Sequence, residues 1–241
     1  MSYLLVIGGN SDIGFSTAKI FASKGYDIYL ASQNMDQLNL KKKIIESSFG
    51  VNCKISNINI YSQDSIENFF NNILINPEII LISAGYMENP EISLDKIIKV
   101  NYLNLVTIIE RLITKDSNIK NLSTIIGISS IAGERGKKAN SIYSSAKAGF
   151  SAYLDGLRQR LYNENINVIT IKPGYVETKM TKNLNLPKYL VSSPDLIGKI
   201  IFKSFKKNNN IVYAPLFWKI LLLIYKNIPE FIFKFKLKKK L

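Results

Sequence analysis

Gly8-Gly9-Asn10-Ser11-Asp12-Ile13-Gly14 is the stretch on which the fold reading turns. It follows a short apolar run at residues 3–8 and precedes a segment, 15–24, whose apolar residues recur at helical spacing. Glycines between a strand and a helix permit a tight turn, let the backbone approach a pyrophosphate and bring helix close to strand. Ser11-Asp12 stands where the helix would begin, with an acid that the helix dipole favours. Taken alone the run is also what a plain glycine turn looks like. The strand–turn–helix order around it is what a dinucleotide site requires.

Outward from that turn, short apolar runs at 27–32, 54–60, 78–83, 123–129, 167–172 and 210–213 read as strands. Helical spacing falls between them, at about 38–47, 65–74, 94–114, 141–163 and 195–206, the last opened by Ser193-Pro194 as cap and first residue. Such alternation means right-handed βαβ crossovers. The expected fold class is therefore α/β: a Rossmann-type doubly wound parallel sheet in a three-layer α/β/α arrangement. No repeat or low-complexity linker interrupts the chain before about residue 213. Residues 1–213 are expected to form one domain holding both the cofactor and catalytic sites, with 214–241 a distinct apolar and basic segment.

Composition narrows the chemistry. The 241 residues are 46% hydrophobic and contain no histidine and one cysteine, Cys53. Histidine-dependent nucleophilic triads are excluded, and a zinc site has too few ligands, so no metal is expected. One cysteine allows no intrachain disulfide, which fits a cytoplasmic setting. The start, Met1-Ser2-Tyr3-Leu4-Leu5-Val6, reads as a buried strand rather than a signal peptide. The formal charge is +14; residues 219–241, with seven lysines and one acid, carry +6 of it, leaving +8 spread over the rest. No basic stripe with interleaved aromatics occurs outside the C-terminus, so no nucleic-acid partner is expected.

Acid/base work near neutral pH then falls to a carboxylate, lysine or tyrosine with a shifted pKa. Tyr143-Ser144-Ser145-Ala146-Lys147 places a tyrosine and a lysine four apart, on one face of a helix. An ammonium ~5 Å from the phenol would stabilise tyrosinate by about 3 kcal/mol at an effective dielectric of ~20, lowering the tyrosine pKa by roughly 2 units. Ser130, at the end of a predicted strand, could hold a carbonyl oxygen beside the phenol. Each feature alone also fits a solvated helix face or a strand-end serine; together they point to one site.

Together these motifs resemble the short-chain dehydrogenase/reductase family, over about residues 3–213. Its glycine motif falls on Gly8, Ser11, Ile13 and Gly14, and its Asn-Ala-Gly on Ser83-Ala84-Gly85. Its helix asparagine falls on Asn101, its serine, tyrosine and lysine on Ser130, Tyr143 and Lys147, and its Pro-Gly…Thr segment on Pro173-Gly174-Tyr175-Val176-Glu177-Thr178. The resemblance implies an oxidoreductase acting between CH–OH and C=O. Tyr143 would protonate the carbonyl oxygen as a nicotinamide delivers hydride, and Ser130 would orient the carbonyl. Lys147 would bind the nicotinamide ribose and lower the tyrosine pKa, Asn101 would hold a water in the proton path, and Thr178 would touch the carboxamide. It further implies a dimer or tetramer packed through the helices bearing Asn101 and Tyr143, and a lid over residues 178–192.

The sequence departs from the family at three cofactor positions: Asp12 replaces the middle glycine, Asn59 the usual adenine-contacting aspartate, and Ser83 the asparagine. Asn10 completes the first turn. Cofactor choice is read at Ser32-Gln33-Asn34. An acid at Ser32 would mark NAD, and there is none; an arginine at Gln33 would mark NADP, and that is absent too. NADP is preferred over NAD.

After Tyr213-Ala214-Pro215 the chain mixes aromatics and leucines with lysines and closes on Lys238-Lys239-Lys240. Its longest uncharged apolar run is about six residues, far short of the ~20 that span a bilayer. The mixture suits an interfacial segment at the inner face of a membrane, and equally an apolar stripe packed on protein. With Gly9 and Asp12 this ending resembles the family branch that includes a decaprenylphosphoryl 2-keto-ribose reductase. That resemblance implies a lipid-linked keto-sugar substrate, a role in cell-envelope polysaccharide synthesis and a separate flavin oxidase partner. A soluble reductase of a ketone or 3-oxoacyl thioester, and a non-catalytic cofactor-binding regulator, are the alternatives.

Overall fold

In the computed structural model, which describes residues 3–71, 76–87, 93–114, 121–182 and 184–236, seven strands form one parallel sheet. These are β1 (Tyr3–Ile7), β2 (Asp27–Ser32), β3 (Cys53–Asn57), β4 (Ile79–Ile82), β5 (Thr124–Ile128), β6 (Asn167–Pro173) and β9 (Ile211–Ala214), ordered β3-β2-β1-β4-β5-β6-β9. A separate two-residue pair joins β7 (Tyr175–Val176) to β8 (Val191–Ser192). The alternation of side chains along β1 shows how the layers are specified. Leu5 and Ile7 enter one core, with residues of α3 (Gln63–Asn71), α5 (Asn104–Thr114) and α6 (Ser141–Arg160). Leu4 and Val6 enter the other, with α1 (Asp12–Ala22), α2 (Met35–Phe49) and α7 (Pro194–Lys206). Both faces are covered, so the strands are apolar throughout rather than alternating. The three-layer α/β/α reading holds.

Strand order reverses between β1 and β4, and the loops leaving their C-terminal ends form the crevice in which open α/β sheets bind ligands. The structure departs from the expected elements in informative places. The helix expected over 94–114 is α4 (Leu94–Ile98) and α5 joined by a π turn, Lys99–Leu103, which carries Asn101. The strand expected over 54–60 pairs only as far as Asn57, although Ile58 and Ile60 stay buried. The helix expected over 141–163 ends at Arg160, and the last residues of the 65–74 helix lie outside the described residues. Beyond β9, where no element was expected, the chain forms α8 (Phe217–Lys226) and α9 (Glu230–Lys236). Among the described residues no helix is long and apolar enough to cross a membrane.

Candidate active site

The candidate nucleotide end of the site is built from close backbone approaches. Gly8 adopts φ +95°, and a Cβ there would lie 2.6 Å from the Ala84 amide nitrogen. At Gly14 a Cβ would strike the Ser83 hydroxyl and stand 2.7 Å from Ser11 Oγ. The glycines therefore let the turn after β1 nest against the loop after β4. Ser11 caps α1 by accepting from the Gly14 amide at 2.9 Å, and its hydroxyl bonds Ser83 Oγ at 3.1 Å. Ser83 in turn donates to the Ile7 and Gly8 carbonyls. Serine in place of asparagine thus still ties the two loops together.

The second strand's end closes on the same turn. Asn10 Nδ2 donates to the Asn34 carbonyl and to Gln37 Oε1, both at 3.1 Å, while Asn34 caps α2. Gln33 is fixed through its carbonyl by Asn57 Nδ2, beside Ser32. Asn59 follows Ile58, whose amide donates to the Ser32 carbonyl at 3.1 Å; its own Oδ1 accepts from the Tyr61 amide and shapes the turn after β3. Asp12 turns its carboxylate to the Lys179 amide at 2.9 Å, tying the start of α1 to the loop beyond Thr178. That loop is internally braced, Thr181 Oγ1 bonding the Thr178 amide and the Val176 carbonyl.

Sequence reasoning missed Lys41. From α2 its ammonium donates to the Gly9 carbonyl at 3.0 Å and lies 4.7 Å above the Phe15 ring. Burial pulls its pKa down to about 8, with Asp12 opposing the shift and Lys179 adding to it. One more lysine in a lysine-rich helix gives no sequence signal.

The candidate catalytic end lies where β4, β5 and α6 meet. Ser130 follows β5 in extended backbone, its hydroxyl accepting from the Ala132 amide at 3.1 Å and bonding the Tyr143 phenol. Tyr143 is 6% exposed and Lys147 3%. Lys147 Nζ lies 5.8 Å from the Tyr143 ring centre and donates to the Ile128 carbonyl at 3.1 Å. Gly85 leaves room for this group, since a Cβ there would be 3.5 Å from Lys147 Nζ and 2.8 Å from Asn101 Oδ1. The fully buried Asn101 spends both amide protons on the Tyr86 and Ile97 carbonyls and accepts from the Tyr86 amide. Its side chain clamps the loop after β4.

The structure corrects one electrostatic expectation. Tyr143 is not lowered: burial pushes its pKa up to about 12, and only the Ser130 hydrogen bond works against that. Lys147 is itself lowered to about 8 by burial. The reason is that water is excluded from both groups at once, and solvation lost by each charge outweighs the attraction assumed for a solvated pair.

On the far side, Gly174 donates to the Ala214 carbonyl, and a Cβ on Gly174 would collide with the Trp218 indole. Trp218 and Leu222 of α8 pack on Ile131, next to Ser130, with Tyr175 and Leu190 around them. The C-terminal segment is thus part of the wall beside Ser130. Glu134 bonds Lys172 at 2.5 Å and Lys226 at 2.7 Å, and Arg135 bonds the carbonyls of Tyr225 and Ile228. Gly8, Asn10–Gly14, Gln33, Asn34, Ser83–Gly85, Asn101, Ser130, Tyr143, Lys147, Gly174 and Thr178 lie in turns, loops and helices around the strand ends, while Ser32, Pro173 and Val176 are the last residues of β2, β6 and β7.

A family model described as short chain dehydrogenase matches residues 2–188. The 3-oxoacyl-(acyl-carrier-protein) reductase FabG of Chlamydia trachomatis is 28% identical over 190 residues, covering 75% of this chain and 76% of that protein. Carbonyl reductase family member 4 of Xenopus laevis is 28% identical over 184 residues, 74% and 77% of the two chains. Among solved structures, a short-chain dehydrogenase from Sphingobium yanoikuyae in complex with NADPH superposes with a TM-score of 0.78 at 18% identity, covering 95% and 97%.

Proposed function

The chain belongs to the short-chain dehydrogenase family, an NAD(P)-dependent oxidoreductase by that membership, and we propose that it reduces a ketone to a secondary alcohol with NADPH. The observation that carries this reading is the buried group in which Ser130 hydrogen-bonds Tyr143 beside Lys147. The nucleotide end fits a dinucleotide: α1 opens on a glycine turn, and Asp12 is held by the Lys179 amide. A nicotinamide cofactor, when bound, supplies the hydride. With its pKa near 12, the Tyr143 phenol carries its proton at neutral pH and can donate it to the carbonyl oxygen. Ser130 positions that oxygen, and Lys147, near 8, stabilises the resulting tyrosinate by charge. The absence of an acid at Ser32 and the NADPH in the Sphingobium yanoikuyae structure support NADPH over NADH.

The 28% identical relatives favour a carbonyl compound or 3-oxoacyl thioester as substrate. A polyprenyl-phosphate-linked keto-pentose, made by a separate flavin oxidase, is the narrower reading, supported by an apolar α8 built against the site wall. The expected assembly is a homodimer or homotetramer. The test is oxidation of NADPH and of NADH by the purified chain with a diketone, a 3-oxoacyl thioester and the lipid-linked keto-pentose. NADPH-dependent turnover of at least one is expected; turnover of none, or a preference for NADH, overturns the corresponding part.

A further inference from the structure

The outer surface of α8 is inverted relative to an ordinary surface helix. At 100° per residue, Trp218, Leu222 and Tyr225 share the inward side and pack on the domain. The outward side carries Leu216, Ile220, Leu223 and Ile224, each 65–69% exposed, and Leu221 at 44%. Phe231 of α9 continues the surface at 66%. A contiguous apolar surface of this kind is uncommon on a soluble chain unless something covers it. It is not a loosely attached end. Arg135 binds the carbonyls between α8 and α9 and pairs with Glu230 at 2.9 Å, and its guanidinium lies 3.8 Å over the Phe233 ring. The apolar face is therefore presented in a fixed orientation.

Charge selects the occupant. Residues 219–241 hold seven lysines and one acid, and that acid, Glu230, is already paired with Arg135. Lys219 lies on one flank of α8 at the edge of the apolar side, with Lys226, paired to Glu134 at 2.7 Å, on the same flank. A second copy meeting this face about a twofold axis would bring one lysine-rich segment against another, the one acid of each segment, Glu230, being already paired with Arg135. An anionic bilayer supplies both missing parts: acyl chains for the leucines and isoleucines, and headgroup phosphates for the lysines.

We infer that α8 and α9 dock this protein on an anionic lipid surface, with the outward side of α8 entering the headgroup–acyl boundary and the lysines on the phosphates. The consequence for the site is geometric. Trp218 and Leu222 pack on Ile131 beside Ser130, and Leu190 joins them from the loop that also carries Tyr189, 83% exposed. Docking brings the wall of the catalytic site to the lipid surface, where a substrate with an acyl or prenyl chain is concentrated. The inference is independent of which ketone is reduced.

The experiment is flotation of the full chain with vesicles of equal parts phosphatidylglycerol and phosphatidylcholine, and with phosphatidylcholine alone. The expected result is binding to the anionic vesicles, weakened in high salt and absent with phosphatidylcholine alone. Leu223→Glu with Ile224→Glu is expected to reduce partitioning on the order of a hundredfold, by removing two inserted side chains. Lys219→Gln with Lys234→Gln should reduce it on the order of tenfold. Melting temperature and NADPH binding, unchanged in both variants, separate lost docking from lost folding. Wild-type protein that stays unbound overturns the inference, as does a Leu223→Glu/Ile224→Glu protein that floats as well as wild type. A wild-type dimer that this pair splits, with no vesicle binding, assigns the face to a second copy instead.

Discussion

Lys147 and Lys172 are both buried near the ends of adjacent strands, and the chain treats them in opposite ways. Lys147 is 3% exposed and finds the Ile128 carbonyl at 3.1 Å; its pKa falls to about 8. Lys172, with its side chain 10% exposed, meets the Glu134 carboxylate at 2.5 Å. Burial raises the Glu134 carboxyl, but hydrogen bonds and charge from Lys172 and Lys226 more than offset it, and it ends below its ordinary range. A paired buried charge holds structure together. One such as Lys147, with no counter-ion among the described residues, stores unfavourable free energy that an anion forming beside it relieves. Tyr143, pushed up to about 12 next to Lys147, is where that anion would form.

The largest effect is expected at the phenol. Tyr143→Phe removes the proposed proton donor while preserving the ring, and should lower kcat for NADPH-dependent reduction on the order of 10³-fold, within the span of general acid catalysis. Cofactor affinity, read by NADPH fluorescence, should change little. Turnover that survives the substitution would break the comparison at its root, because Lys147 would then have no anion to stabilise.

Next come the two lysine sites, which should respond in opposite directions. Glu134→Gln leaves Lys172 buried with only an amide for a partner, and should destabilise the fold by about 3 kcal/mol. For a chain of this size that is a fall of roughly 6–12 °C in melting temperature. Lys147→Met removes a buried charge that has no counter-ion among the described residues, so the melting temperature should hold or rise while turnover falls about 10²-fold. Equal destabilisation by both substitutions would mean that Lys147 is a structural lysine.

The pH dependence sharpens the same contrast. Between pH 8 and 10 an unfolded Lys147, with its ordinary value of 10.5, holds a proton that the native one has released. Wild-type stability therefore gains from this group as pH rises through that window, by about 2–3 kcal/mol in total. Below pH 8 both states are protonated and the penalty is constant. Above pH 10 Tyr143 acts the other way, since the native phenol keeps its proton up to about 12. Urea titrations of wild type and Lys147→Met should show the variant's advantage at pH 8 shrinking toward pH 10; a constant gap would place the native Lys147 pKa at its ordinary value.

What could be read in the sequence follows the same division. The glycine turn, Ser130 and the Tyr143–Lys147 spacing were legible because each depends on position within one element or at its end. The strands were legible as apolar runs, since both sheet faces are covered. The Glu134 contacts with Lys172 and Lys226 span 38 and 92 residues, and that of Lys41 with Gly9 spans 32. No local period announces them, and in a chain with 32 lysines and arginines one cation looks like another. The π turn at Asn101 changes the helical phase by about one residue, too little to disturb the apolar spacing of 94–114. The tyrosine pKa was misjudged because burial is a property of the folded chain, not of the spacing.

The smallest expected effect tests which partner of Glu134 matters. Lys226 Nζ lies 2.7 Å from Glu134 Oε2, but its side chain is 50% exposed, so water already stabilises most of its charge. Lys226→Ala should cost no more than about 1 kcal/mol, the range of exposed ion pairs, because Lys172 continues to satisfy the carboxylate. Differential scanning of Lys226→Ala beside Glu134→Gln reads the two on one scale. If Lys226→Ala is as damaging as Glu134→Gln, the carboxylate serves chiefly to hold the end of α8 against the turn after Ser130. The paired site would then be the hinge on which the C-terminal wall is hung, and the shielding of Lys172 a secondary consequence.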